Sequence, residues 1–147
     1  MSAAEEHGQP ENSSGPHVRT RRDHAAETAE DYVEAVAELI DTHGACRVKD
    51  LSERFGVTHV TVIGNLQRLE REGLVVTRPY RPVELTRAGR CLADRCKSRH
   101  ELVVRFLLAI GVPPEVALLD AEGIEHHLSP ATLERFRAIA DGDPPVR

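Results

Sequence analysis

The segment that most constrains this chain is residues 47–85, "RVKDLSERFGVTHVTVIGNLQRLEREGLVVTRPYRPVEL". Leu51 and Phe55 stand four residues apart and share one face of a short helix over "VKDLSERFG". "GVT" supplies a turn. From Thr58 to about Glu72, Val62, Leu66 and Leu69 recur at helical spacing, and Gly73 stands where that helix should stop. Two extended pieces follow, "LVVTRPY" and "PVELT", edged by Pro79 and Pro82, which predicts a small two-stranded hairpin. One more helix comes first: from about Thr28 to His43, Val33, Val36, Ala37 and Ile40 form an inward stripe that Gly44 closes. Helix, helix, turn, helix and hairpin is the order of a winged helix-turn-helix. The expected fold is therefore mainly α, with a small β wing in its N-terminal part.

In such a fold the third helix lies in the major groove, and exposed side chains near its N-terminus meet base edges. Here those positions are Thr58, His59, Val60, Thr61 and, a turn further on, Gly64. The threonines and His59 can exchange hydrogen bonds with bases or phosphates, and Val60 can touch a thymine methyl. Gln67, Arg68 and Arg71 lie further along and suit phosphates, while Arg78 and Arg81 in the wing suit phosphates or the minor groove. Charge agrees with this placement. The whole chain carries a net −5, which excludes a uniformly basic nucleic-acid binder, yet residues 47–90 hold nine basic side chains against five acidic ones. The competing reading is a protein-docking winged helix whose arginines are simply solvated.

Outside this block, residues 1–24 are polar and lack apolar periodicity, as expected of a disordered tail. Thr86 can cap a long helix reaching about Ile110, with Leu92, Cys96, Val103, Phe106, Leu107 and Ile110 on its buried side. "GVPPE" breaks that helix, one or two short helices cover Pro114–Leu128, and Ser129-Pro130 opens a last helix to about Ala140. The second part is thus all α. Cys46, Cys91 and Cys96 are odd in number and form no CxxC pair, which favours reduced thiols in the cytoplasm. No apolar run approaches the ~20 residues of a membrane span, and no signal-peptide core is present, so no membrane partner is expected.

The chemistry concentrates in "DAEGIEHHLS", residues 120–129. At ~100° per residue, Glu122, Glu125 and His126 occupy one arc of a helix, and His127 falls outside it. On the first helix Asp31 and Glu34 share a face, on a stripe that Glu27 and Glu38 extend; a merely solvated acidic face is the plain alternative there. His100 flanks the buried side of the long helix, where a hydrogen-bonded core histidine is the plain alternative. If the three sets converge, their carboxylates repel unless something neutralises them, and "DAEGIEHH" holds no Lys or Arg. A divalent cation turns that repulsion into coordination. Oxygen and imidazole donors without thiolate suit a hard or borderline ion; Mn²⁺ fits, and six ligands suffice for two neighbouring ions.

"EDYVEAV", "FGVTHVTVIGNLQRLEREGLV", "LTRAG", "RHELVVRFLLAIGV" and "DAEGIEHHLS" together resemble the DtxR/MntR family of metal-dependent transcriptional repressors, over roughly residues 28–140. The resemblance implies metal ligands at Asp31, Glu34, His100, Glu122, Glu125 and His126. It points to the manganese branch, since the iron-responsive branch carries Met and Cys where this chain has Asp31 and Glu122. It also implies a homodimer, with Phe106, Leu107, Ile110, Leu118 and Leu119 as its apolar interface, on a near-palindromic double-stranded DNA operator. Expected domains are a tail over 1–24, a DNA-binding domain over 25–90, a helical metal-binding and dimerisation domain over 91–142, and a tail over 143–147. The extra SH3-like domain of iron-type members is expected to be absent. Ile63 and Gly64 depart from the family's usual Thr or Lys in the recognition helix. The reading is a Mn²⁺-dependent repressor of metal-uptake genes and not an enzyme. The alternatives are an iron- or zinc-responsive repressor, a binuclear metallohydrolase, or a metal-free regulator.

Overall fold

The computed structural model describes residues 16–143. Helix α1 spans Pro16–His43, α2 Val48–Phe55 and α3 His59–Arg71; β1 (Val75–Val76) and β2 (Glu84–Leu85) form the hairpin. Then come α4 (Arg87–Ala109), α5 (Pro114–Ile124), a 3₁₀ turn at Glu125–His127 and α6 (Pro130–Ala140). The architecture is an N-terminal winged helix-turn-helix followed by an all-α domain. Among the described residues no helix is long and apolar enough to cross a membrane.

One expectation fails at the start. Residues 16–24, expected to belong to a tail, are the first turns of α1. Apolar periodicity reports burial, and residues 21–24 are exposed, so the sequence there carries no such signal. They form because extending a helix costs far less than nucleating one. Pro16 suits a first helical position, and Thr28 Oγ1 donates to the His24 carbonyl at 2.8 Å. The rest of the expected N-terminal tail, and residues 144–147 of the C-terminal one, lie outside the described residues.

The helix-turn-helix core is built by the predicted inward residues: Val36, Leu51, Val62, Leu66 and Leu69 are buried together with Tyr32, Cys46, Val75 and Val83. Burying side chains of this size contributes roughly 1.5–3 kcal/mol each. Tyr32 stacks on Phe55 with ring centroids 4.6 Å apart, which pins α2 against α1. The turn after α2 needs Gly56, whose φ of 63° is left-handed, and Thr58 caps α3 by accepting from the Thr61 amide at 3.2 Å.

The hairpin is short and antiparallel, with Val75 opposite Leu85 and Val76 opposite Glu84. Two residues per strand would not hold alone. The Val83 amide donates to the Cys46 carbonyl at 2.7 Å, and the Thr77 amide donates to Glu70 Oε1 at 2.8 Å, which ties the wing to its own domain. Thr86 caps α4 as expected, accepting from the Gly89 amide at 3.0 Å. Gly89 is required there: a Cβ would sit 2.0 Å from the Leu74 carbonyl oxygen. This close approach lets α4 leave the wing and run back along α1, where Val33, Ala37 and Ala93 form the seam between the domains. Beyond it, Val103, Leu107, Ala117 and Ala121 make the core of the helical domain, with Phe106 stacked on Phe136. Ser129 caps α6, accepting from Thr132 at 3.2 Å.

Candidate metal centre and nucleic-acid interface

The seam between α1 and α4 opens at one end into a cleft of about 470 Å³. All six residues singled out as ligands line it: Asp31 and Glu34 from α1, His100 from α4, Glu122 from α5, and Glu125 and His126 from the 3₁₀ turn. Three of them form a continuous chain with Asp31. His100 Nδ1 lies 2.6 Å from Glu125 Oε2; Glu125 Oε1 lies 3.6 Å from His126 Nε2; and His126 Nε2 lies 3.2 Å from Asp31 Oδ1. Glu125 is only 3% exposed and is the one buried charged residue among those described. Glu34 and Glu122 contribute to the walls.

Six carboxylates face this cleft, Glu27, Asp31, Glu34, Glu38, Glu122 and Glu125, against a single arginine, Arg54, which Glu38 already engages. The electrostatics carry the strain of that crowding. Burial pushes the Asp31 carboxyl above its ordinary 3.8, and the neighbouring Glu27, Glu125 and Glu30 push it further, against the pull of His126. Burial likewise raises Glu34 above 4.5, with Glu125 and Asp31 adding to it. Burial works against a charged His126, but its hydrogen bond to Glu30 and the charges of Asp31, Glu125 and Glu30 outweigh that and hold its pKa above 6.5. Among the described residues no three donors already converge on one point as an ion would require. They are paired with each other instead, with His126 Nε2 in a charge contact with Asp31. The donor set of carboxylates and imidazoles without thiolate fits a hard or borderline divalent cation.

Two further residues at this junction, Glu30 and Arg99, lie beyond the sequence-based expectations. Glu30 Oε2 lies 2.7 Å from His126 Nδ1 and also accepts a hydrogen bond from Arg99 Nη2, so α1, α4 and the 3₁₀ turn meet on one oxygen. A signal exists for the first: Glu30 is four residues before Glu34 and therefore shares its helix face.

Away from the cleft lining, α3 presents His59, Val60, Thr61, Ile63, Gly64, Gln67 and Arg71 to solvent; Val60 is 80% exposed. An apolar side chain so placed leaves no intramolecular contact to explain it. Thr58 is exposed, but its hydroxyl is engaged in capping. Arg68 differs from expectation. It is half-buried, its Nη2 donates to the Ala25 carbonyl at 3.3 Å, and its Nε stands 3.9 Å from Glu72. The early start of α1 supplies that carbonyl, which is why the sequence does not reveal it. Arg78 and Arg81 are exposed at the wing tip and bracket Tyr80, which is fully exposed and holds φ at 61°. A left-handed backbone under a bulky residue is strained and seldom kept where glycine would serve.

The expected interface residues divide. Leu107 is buried in the core of the helical domain, and Phe106 stacks on Phe136 of the same chain. Ile110, Leu118 and Leu119 are exposed, Leu119 by 71%, and Leu108, Val116 and Ile124 extend the same class of unpartnered apolar surface. Helical spacing places Phe106 and Leu107 correctly on an apolar face but does not say whether α6 or another chain covers it.

A winged helix joined to a helical domain, with an acid–imidazole cleft where they meet, defines a two-domain DNA-binding regulator. Comparison with known proteins makes this specific. Residues 24–83 match the family described as "Iron dependent repressor, N-terminal DNA binding domain", and residues 86–142 match "Iron dependent repressor, metal binding and dimerisation domain". Over 119 residues the chain is 44% identical to the transcriptional regulator MntR of Escherichia coli O6:H1, covering 81% of this chain and 77% of that protein. Over 107 residues it is 39% identical to the HTH-type transcriptional regulator MntR of Bacillus subtilis, covering 73% and 75%. A solved manganese-dependent transcriptional repressor in complex with manganese superposes with a TM-score of 0.68 at 29% identity, covering 77% of this chain and 52% of that one. The manganese regulator SloR gives 0.66 at 25% identity, covering 77% and 53%. The chain therefore spans about half the length of these solved relatives. It belongs to the DtxR/MntR family of metal-dependent, DNA-binding repressors, and it is a regulator and not an enzyme.

Proposed function

We propose that this protein is a Mn²⁺-activated repressor of metal-uptake genes, acting in the cytoplasm as a homodimer on a near-palindromic operator. The observation that carries the reading is the shared cleft: Asp31 and Glu34 belong to the DNA-binding domain, while His100, Glu122, Glu125 and His126 belong to the helical domain, and all six line one cavity. These six side chains would hold the metal, one ion or two per subunit. Bound there, a divalent cation supplies the positive charge that offsets the crowded carboxylates and ties the two domains together.

Asp31 and Glu34 then transmit the tie through α1, against which α2 and α3 pack. Without compensation, repulsion across the cleft leaves the separation of two recognition helices poorly defined, and the DNA-competent arrangement is a minor population. By linkage, operator DNA must tighten metal binding by the same factor. His59, Val60, Thr61 and Gly64 are the proposed base-facing positions, with Thr58 at the helix cap beside them. Gln67, Arg71, Arg78 and Arg81 are the proposed backbone contacts, joined by Tyr80 between the two wing arginines. Arg68, expected from sequence as a further phosphate contact, serves here to hold α3 to α1. Ile110, Leu118 and Leu119 are the proposed dimer contacts.

Hard donors and the absence of a cysteine from the cleft support Mn²⁺ over softer ions, and the relatives named for manganese agree in kind. The test is binding to a duplex selected from a random pool with Mn²⁺ present, repeated with metal-free protein and with Fe²⁺, Zn²⁺ and Co²⁺. Tight binding is expected with Mn²⁺ and weak binding after chelation. Binding indifferent to chelation would refute metal activation, and activation by Fe²⁺ or Zn²⁺ alone would reassign the effector.

A further inference from the structure

Glu30 is not among the six proposed ligands, yet it makes the closest contact to His126, at 2.7 Å from Nδ1. The same oxygen accepts from Arg99 Nη2, and Arg99 Nη2 stands 3.3 Å from His126 Nδ1. Two nitrogens that both donate to one oxygen are brought to about this separation without bonding each other. The alternative, an unprotonated Nδ1 accepting from Arg99, would set its lone pair against a carboxylate oxygen at 2.7 Å. The Nδ1 atom therefore carries the proton. All three side chains are largely buried: His126 is 6% exposed, Arg99 18% and Glu30 19%. Arg99 also forms an ion pair with Glu30, which offsets part of the charge this carboxylate brings to the junction.

We propose that Glu30, held in place by Arg99, is the positioning residue for the His126 ring: it fixes the proton on Nδ1 and turns the Nε2 lone pair of the neutral ring toward Asp31 and Glu125. This deepens, and rests on, the proposal that the cleft binds a divalent ion. A ring whose second nitrogen is anchored by a carboxylate is pre-set in tautomer and orientation for its first nitrogen to coordinate.

The test uses the full chain and two substitutions, Glu30→Ala and Glu30→Gln. Gln keeps a carbonyl oxygen that can accept from Nδ1–H, whereas Ala removes the acceptor. Two quantities are read: the ¹⁵N shifts of His126 in metal-free protein at a pH where the ring is neutral, and Mn²⁺ affinity by calorimetry. The expected result is a single Nδ1–H tautomer in the parent and in Glu30→Gln, and a mixed tautomer in Glu30→Ala. Mn²⁺ affinity should fall roughly 10–100-fold in Glu30→Ala and be largely restored in Glu30→Gln. An unaltered tautomer in Glu30→Ala overturns the proposal, as does Mn²⁺ affinity in that variant within about twofold of the parent while Asp31→Ala loses it. Asp31→Ala separates the two claims: unchanged Mn²⁺ binding there would remove the DNA-binding domain from the metal site, while the tautomer measurement still decides the role of Glu30.

Discussion

Asp31 and His126 face each other across the junction of two domains, with Asp31 Oδ1 3.2 Å from His126 Nε2. One belongs to the helix that supports the DNA-reading unit, and the other to a turn 95 residues further along. That contact joins the two domains at the candidate metal site, so protons and metal ions compete for the same few ångströms.

The metal-free pair responds to pH. His126 holds its proton more tightly than a free imidazole, so its contacts stabilise the junction fully below pH 6.5 and lose that contribution as pH rises through the raised value. Ion binding runs the other way, because the proton must leave Nε2 first. Mn²⁺ affinity should climb with pH through this window and then level, with about one proton released per ring that coordinates. Calorimetry in buffers of different ionisation enthalpy counts those protons. A flat profile with no release would remove His126 from the site.

Arg71 and Arg78 are exposed, whereas Arg68 is held by the Ala25 carbonyl. Replacing Arg71 or Arg78 with Ala should therefore reduce the slope of log K against log salt by about 0.9 for each lost phosphate contact. Arg68→Ala should leave that slope unchanged and lower the unfolding free energy by about 1 kcal/mol instead. Salt series on the selected duplex, with denaturant melts beside them, distinguish the two. A lower slope for Arg68→Ala would return it to the DNA face.

Leu119→Glu places a charge on the most exposed leucine of the helical domain. If that surface joins two subunits, the variant should sediment as a monomer, keep its helical content, and lose the parent's preference for a palindrome over a single half-site. A variant that remains dimeric would move the interface elsewhere.

The thiols offer a check on packing. Burial raises Cys46 and Cys96 to about 12 each, with nearby carboxylates adding to the effect, while Cys91 is exposed. A neutral-pH thiol reagent should modify Cys91 promptly and the other two only on unfolding. Fast modification of Cys96 would mean that the α1–α4 seam opens readily.

Periodic burial is the most legible property of this sequence. The stripe of Val62, Leu66 and Leu69 marks α3, and Thr86 and Ser129 mark helix starts, because those signals are local and the geometry repeats. Asp31 and Glu34 are legible as a pair on one helix face, and Glu122, Glu125 and His126 as one helical arc, though Glu125 and His126 lie in a 3₁₀ turn beyond α5; family resemblance brings the two sets together in expectation. Tertiary choice lies beyond reach. Whether Leu107 faces α6 or another subunit, whether Arg68 meets a phosphate or a backbone carbonyl, and whether Glu30 ligates or anchors all depend on which elements meet. The extra turns of α1 stay hidden because helix propagation leaves no hydrophobic signature.

The decisive measurement is Mn²⁺ calorimetry on two variants, Asp31→Ala in the DNA-binding domain and Glu125→Ala in the helical domain, each verified as folded. An ion held jointly requires both to weaken the same binding event, by about tenfold or more each. If Asp31→Ala binds Mn²⁺ as the parent does, the ion belongs to the helical domain alone, and the coupling between metal and DNA proposed for this protein is wrong.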